Sequence, residues 1–133
     1  YSKTKLIMNE NDLKHLKQDS DGLLNYEYLA NHIDTVEADD VNAIVDNLAD
    51  IDRDGQFCAS AAKYLNIIDS QRFDDAVRRL VALTIDKDRE HRYLLGLMTA
   101  IYGEDYAERA DGLCAADNNF RRIYKRLHPT SVI

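Results

Sequence analysis

Apolar residues recur at helical spacing along most of the chain, and no stretch sustains the strict alternation of a half-buried strand. Leu24, Tyr28, Leu29 and Ile33 form one stripe, and Val41, Ile44, Val45, Leu48 and Ile51 a second. Phe57, Ala61, Tyr64, Leu65 and Ile68 form a third, and Phe73, Val77, Leu80, Val81 and Thr84 a fourth. Such stripes predict amphipathic helices that bury one face. Tyr93 to Tyr102 is apolar nearly all round, which predicts a central helix covered on several sides. Phe120, Ile123, Tyr124 and Leu127 form a last stripe, stopped at His128-Pro129 because proline cannot continue a helix.

Breaks are expected at Asp21-Gly22, Asp34-Thr35, Asp54-Gly55, Asp69-Ser70, Asp86 to Asp88, Gly103 and Asp111-Gly112. At these points Asp, Ser and Thr can accept the free N–H groups of the next helix, and Gly can take the left-handed conformation that ends the previous one. The predicted class is all-α: about six to seven helices, arranged as stacked antiparallel hairpins or as a compact bundle.

A weak internal similarity of about 35 residues supports the stacked form. Asp21-Gly22 recurs as Asp54-Gly55, Tyr28-Leu29 as Tyr64-Leu65, and Ile51-Asp52-Arg53-Asp54 as Ile85-Asp86-Lys87-Asp88. The units would be 21–54 and 54–88, with a third over 89–127, all within one domain spanning 1–133. In period and layout this resembles HEAT-like arrays, but no residue signature of that family is present.

Composition narrows the class. With 133 residues the chain has the length of one domain and needs no disulfide or metal to supply a core. Its longest apolar stretch is about half of the ~20 residues that cross a bilayer. There is no signal-peptide pattern, and the chain begins at Tyr1 rather than Met, as if N-terminal sequence had been removed. A soluble, cytoplasmic protein without a membrane partner is expected. Cys58 and Cys114 lie in no metal-ligand spacing and read as small buried hydrophobes in a reducing compartment.

The net charge of −7 argues against a general nucleic-acid binder and is compatible with a basic protein partner. The acidity is concentrated: residues 21–54 hold ten acids and one base, Arg53. On the helix near 38–51, Asp39, Asn42, Asp46 and Asp50 lie opposite the apolar stripe and form the candidate partner-binding face. The last helix is the reverse, with Arg121, Arg122, Lys125 and Arg126 near its C-terminus, where cations favour the helix dipole. Those cations also suit pairing with the acidic segment of the same or another subunit, and the oligomeric state, a homo-oligomer included, is left open. Ser131-Val132-Ile133 has the form of a class I PDZ ligand, a three-residue match that chance supplies often.

Asp50-Ile51-Asp52-Arg53-Asp54-Gly55 matches the first half of an EF-hand calcium loop, and Lys17 to Tyr28 is an approximate second match 33 residues earlier. Over residues 13–68 the chain resembles an EF-hand pair, with both bidentate ligands missing: Ala61 and Tyr28 stand where Glu belongs. Helix-capping Asp-Gly turns are the simpler account. His15, His32, His91 and His128 have no helical metal spacing, and Glu90-His91 reads as a solvated first turn or an acid–base pair. No phosphate loop, nucleophile elbow or cysteine motif is present, so neither a cofactor nor a catalytic residue is assigned.

The sequence therefore points to a non-enzymatic helical interaction module, for example an acidic inhibitor or immunity-type protein covering a basic partner. The alternatives are a degenerate EF-hand-like calcium-binding module, or an enzyme or nucleic-acid-processing protein whose site is assembled from scattered residues.

Overall fold

A computed structural model of the chain describes residues 8–129. Ser131-Val132-Ile133 lies outside the described residues. Eight α-helices occur among the described residues: α1 Glu10–Lys17, α2 Leu23–Asn31, α3 Ala38–Ile51, α4 Gln56–Asp69, α5 Asp74–Lys87, α6 Leu94–Tyr102, α7 Ala110–Ala116 and α8 Asn118–Leu127. No strand is present among them. The all-α class stands, with more helices than the six to seven expected. The excess comes from the short α1 and α7, each of which buries a single residue, Leu16 and Ala110, and so leaves no stripe to read.

The helices form two layers. In one, α2, α4 and α6 run in the same direction. The Tyr26 ring lies 6.4 Å from that of Phe57 near the starts of α2 and α4, and the Tyr64 hydroxyl donates to the Ala30 carbonyl near their ends. The Tyr93 hydroxyl donates to Asp54, and Asn66 to the Ala100 carbonyl, which ties α4 to α6 in the same sense. In the other layer α3, α5 and α8 are likewise parallel. Arg72 donates to the Val36 carbonyl, Arg79 pairs with Asp46 and Arg122 pairs with Asp86. The core lies between the layers and includes Leu29, Ile44, Leu48, Leu80, Leu97 and Phe120, all fully buried.

Each helix of the first layer starts in the same way. Asp52 is 2% exposed, and its carboxylate accepts the N–H groups of Gly55, Phe57 and Cys58 at 3.3, 3.0 and 2.8 Å. Asp88, also 2% exposed, accepts those of Arg92, Tyr93 and Leu94 at 2.8, 2.7 and 3.2 Å. Asp19 accepts the Asp21 and Asn25 N–H groups and the Asn25 side-chain amide. In every case the sixth residue after the aspartate donates to it, and the third has positive φ: Gly22 at +110°, Gly55 at +90°, His91 at +58°. The first N–H groups of a helix have no partner within it, and these carboxylates supply one from inside the protein. The capping residues are thus Asp19 and Asp52 in the main. Asp21 and Asp54 each take one backbone N–H group at the surface, those of Leu23 and Gln56.

These bonds correct the alignment expected from the sequence. Asp52 corresponds to Asp88, 36 residues on, rather than to Asp86, and to Asp19, 33 residues back. Asp111-Gly112, expected as a break, lies inside α7. The stretch from Tyr93 to Tyr102 is not a central helix: Leu94, Leu97 and Met98 are buried, while Leu95 is 54% exposed and Gly96 and Ala100 face solvent. As the last member of its layer, α6 packs on α4, α5 and α8 and leaves one face open.

A methyl group at Gly22 would meet Phe57 and Leu48 side chains at 3.0 and 3.1 Å, whereas at Gly55 the nearest atom is 3.4 Å away. Both substitutions also put an L side chain in the left-handed region, which costs about 1 kcal/mol. Gly55→Ala is expected to lose about 1 kcal/mol and Gly22→Ala about 2–3 kcal/mol, because crowding adds to backbone strain only at Gly22. Urea denaturation of the two variants measures the difference.

Candidate functional site

The candidate face is built on α3. Its buried side is set by Val41, Ile44, Val45 and Leu48, which fixes the opposite side toward solvent. Asp39, Asn42, Asp46 and Asp50 fall on that opposite side; Asn42, Asp46 and Asp50 are exposed and Asp39 is half-buried. Only Asp46 has a cationic partner among the described residues, Arg79 of α5 at 2.7 Å, with both side chains roughly half exposed. An ion pair this open contributes about 0.2–1 kcal/mol and exchanges readily for another cation.

Beside this face runs a groove of about 180 Å³ between α3 and α5. Ala38, Val41, Phe73 and Ala76 supply its apolar lining, and Asn42, Asp75 and Arg72 its polar edge. Arg72 is held in place: its guanidinium lies 4.7 Å from the centre of the Phe73 ring, and it donates to the Val36 carbonyl at 2.8 Å. The structure therefore places Asn42 at the groove and Asp46 beside α5, while Asp50 continues the face toward the loop before α4. Phe73 and Arg72 were not assigned from sequence, because their meeting with α3 is a tertiary contact between segments more than thirty residues apart.

Not all of the acidic segment contributes to a surface. Asp40 is fully buried and accepts the Met8 and Glu37 N–H groups, and Asp52 is consumed at the start of α4. A buried polar chain runs from Asp19 through Asn25 to Asn47, with Asn25 donating to Asp19 and to the Leu16 carbonyl and accepting from Asn47 at 2.9 Å. Burial acts to raise the Asp19 carboxyl. The bonds from the Asn25 side chain and from the Asn25, Asp21 and Gly22 backbone outweigh it and hold the group below its ordinary value.

The EF-hand-like stretch has a different geometry from a calcium loop. Only four residues, 52–55, separate α3 from α4, against the twelve of an EF-hand loop. The Asp52 oxygens hold backbone N–H groups, Asp54 holds the Gln56 N–H and the Tyr93 hydroxyl, and Asp50 stands on the exposed side of α3. Among the described residues no group of three or more His, Cys, Asp or Glu side chains is placed to hold a metal ion.

The histidines are equally dispersed. His32 stacks on Tyr28 with ring centres 4.0 Å apart, and His128 packs on Tyr124. His91 is exposed, and its neighbour Glu90 pairs with Arg92 at 2.6 Å. Both cysteines are free. Cys58 is buried as expected, and burial beside the Asp52 carboxylate pushes its thiol far above the ordinary range, so it is a neutral packing group. Cys114 is only partly buried, which corrects the expectation for that residue.

On α8, Arg122 pairs with Asp86 of α5 at 2.6 Å, so the intramolecular partner of the basic helix is α5 and not the acidic segment. Among the described residues no helix is long and apolar enough to cross a membrane. Comparison with models of known families, with curated proteins and with solved structures finds no match to this chain.

Proposed function

We propose that the chain is a non-enzymatic interaction module that docks a basic segment of a partner protein along α3. The observation that carries this reading is the face of exposed Asp46 and Asp50 and half-buried Asp39, where Arg79 is the one cation at ion-pair distance among the described residues, set beside the groove between α3 and α5. A lysine or arginine reaching in can lay its methylene stem over the apolar lining and set its charge among the carboxylates. The buried aspartates support the same reading. Their oxygens are engaged with backbone N–H groups at helix starts, so they are not available to substrate chemistry. One form of such a module is an acidic inhibitor or immunity-type protein that covers the cationic site of a toxin or nuclease. A cytoplasmic setting fits that role.

The test is capture of partners on immobilised protein, followed by affinity measurement with the partner recovered. Reversing Asp46 and Asp50 to lysine is expected to weaken binding by about tenfold to a hundredfold, with the loss growing as ionic strength falls. Reversing Glu108 and Asp111, which are exposed and remote from α3, serves as the control and is expected to leave binding unchanged. Equal binding by the Asp46/Asp50 variant removes the proposed docking face.

A further inference from the structure

The loops before α4 and α6 lie side by side and enclose a cleft of about 250 Å³. Four cationic side chains, Arg53, Lys87, Arg89 and Arg92, and three carboxylates, Asp54, Asp88 and Glu90, line it, a local excess of one positive charge in a chain of net charge −7. Two of the four are already engaged. Lys87 donates to the Ala49 and Asp52 carbonyls at 2.7 and 2.6 Å, where it closes the C-terminus of α3, and Arg92 pairs with Glu90. Asp88 and Asp54, which also line the cleft, are engaged too: Asp88 holds three N–H groups, and Asp54 holds the Gln56 N–H and the Tyr93 hydroxyl. Arg53 and Arg89 remain. Both are exposed, and among the described residues neither has a carboxylate at ion-pair distance.

We propose that this cleft binds a phosphate group between the Arg53 and Arg89 guanidiniums. Each guanidinium presents a planar fork of donors matched to two oxygens of one anion, and a phosphate has enough oxygens to serve both forks. Asp54 and Asp88 keep their charge but direct oxygens at N–H groups, Glu90 is paired with Arg92, and none of the three is at ion-pair distance from either arginine. The cleft is wider than a phosphate ion, which leaves room for the group esterified to it. This site is on the loop edge of the molecule and does not depend on the α3 docking face.

The experiment is a titration of the intact protein with inorganic phosphate, and separately with methyl phosphate, followed by amide and arginine side-chain NMR against sodium chloride of equal ionic strength. The expected result is a saturable shift confined to residues 53–54 and 87–92. The Arg53→Gln/Arg89→Gln double variant should weaken it by at least about tenfold. Both side chains are exposed, and thermal unfolding confirms that the variant is folded. Glu90→Gln, which releases Arg92, is expected to tighten binding. Tighter binding of methyl phosphate assigns the spare space to the ester group, and equal binding makes free phosphate sufficient. A shift that does not saturate, that sodium chloride reproduces, or that survives in the double variant overturns the proposal.

Discussion

Asp52→Ala is expected to lower the stability of the protein by about 3–5 kcal/mol, against the roughly 5–15 kcal/mol that a domain possesses in total. The carboxylate is buried and accepts three backbone N–H groups. Truncation leaves those donors enclosed between α3 and α4 with no acceptor. Each buried unsatisfied donor costs about 1–3 kcal/mol, and a lost helix cap alone costs up to about 2 kcal/mol. The removed desolvation cost of the carboxylate offsets part of the sum. Urea denaturation should show the loss as a lower midpoint at an unchanged slope. The adjacent Asp54→Ala is the comparison. Asp54 is exposed and holds one N–H group, so about 0.5–1 kcal/mol is expected there. Similar losses from the two variants would mean that burial of Asp52 has no energetic consequence.

The second large effect is expected at Phe120. It is fully buried at the start of α8, with ring centres of Tyr102, Tyr106 and Tyr124 at 5.0, 6.2 and 5.6 Å. It joins α8 to α6 and to the 103–109 segment. Phe120→Ala removes its burial and leaves a cavity, a change that costs about 3–5 kcal/mol, and it also ends the aromatic contacts. Phe120→Leu keeps most of the volume and is expected to cost about 1–1.5 kcal/mol. Hydrogen exchange adds a positional check: protection should fall most in α7 and α8 and least in α3 and α4, which supply none of the rings that meet Phe120. A uniform loss of protection would contradict this local role.

How much of this was legible in the sequence depended on side-chain size. The stripes of α3 and α8 could be read because bulky apolar residues mark their buried faces. That of α4 was read in part: Ala61 and Leu65 are buried and Phe57 and Tyr64 pack against the core, but Cys58, Ala59 and Ala62, also buried, were missed, because small residues let neighbouring helices approach closely without standing out from a polar background. The stripe erred at its end, where Ile68 is exposed. Turns were placed well at Asp21-Gly22 and Asp54-Gly55 because Asp-Gly is a local signal. The third equivalent loop was hidden, because His91 takes the left-handed position that glycine fills in the other two and the spacing lengthens by three residues. On the candidate face, membership of α3 was readable from helical spacing. The groove with Phe73 and the cleft lined by both Arg53 and Arg89 were not, since each depends on which helices become neighbours.

The capping aspartates have one more consequence. Each carboxylate recruits N–H groups no more than six residues ahead, so the direction and starting point of a helix are specified within a single short stretch of chain. Closing so small a ring costs little entropy, and contacts of short sequence separation form early and fast. Nucleation can therefore begin independently at 19–25, 52–58 and 88–94. The same economy frees the intervening side chains. Positions such as Arg53 and Arg89 carry none of the information that starts a helix, so they can be exchanged over evolutionary time without disturbing the scaffold beneath them.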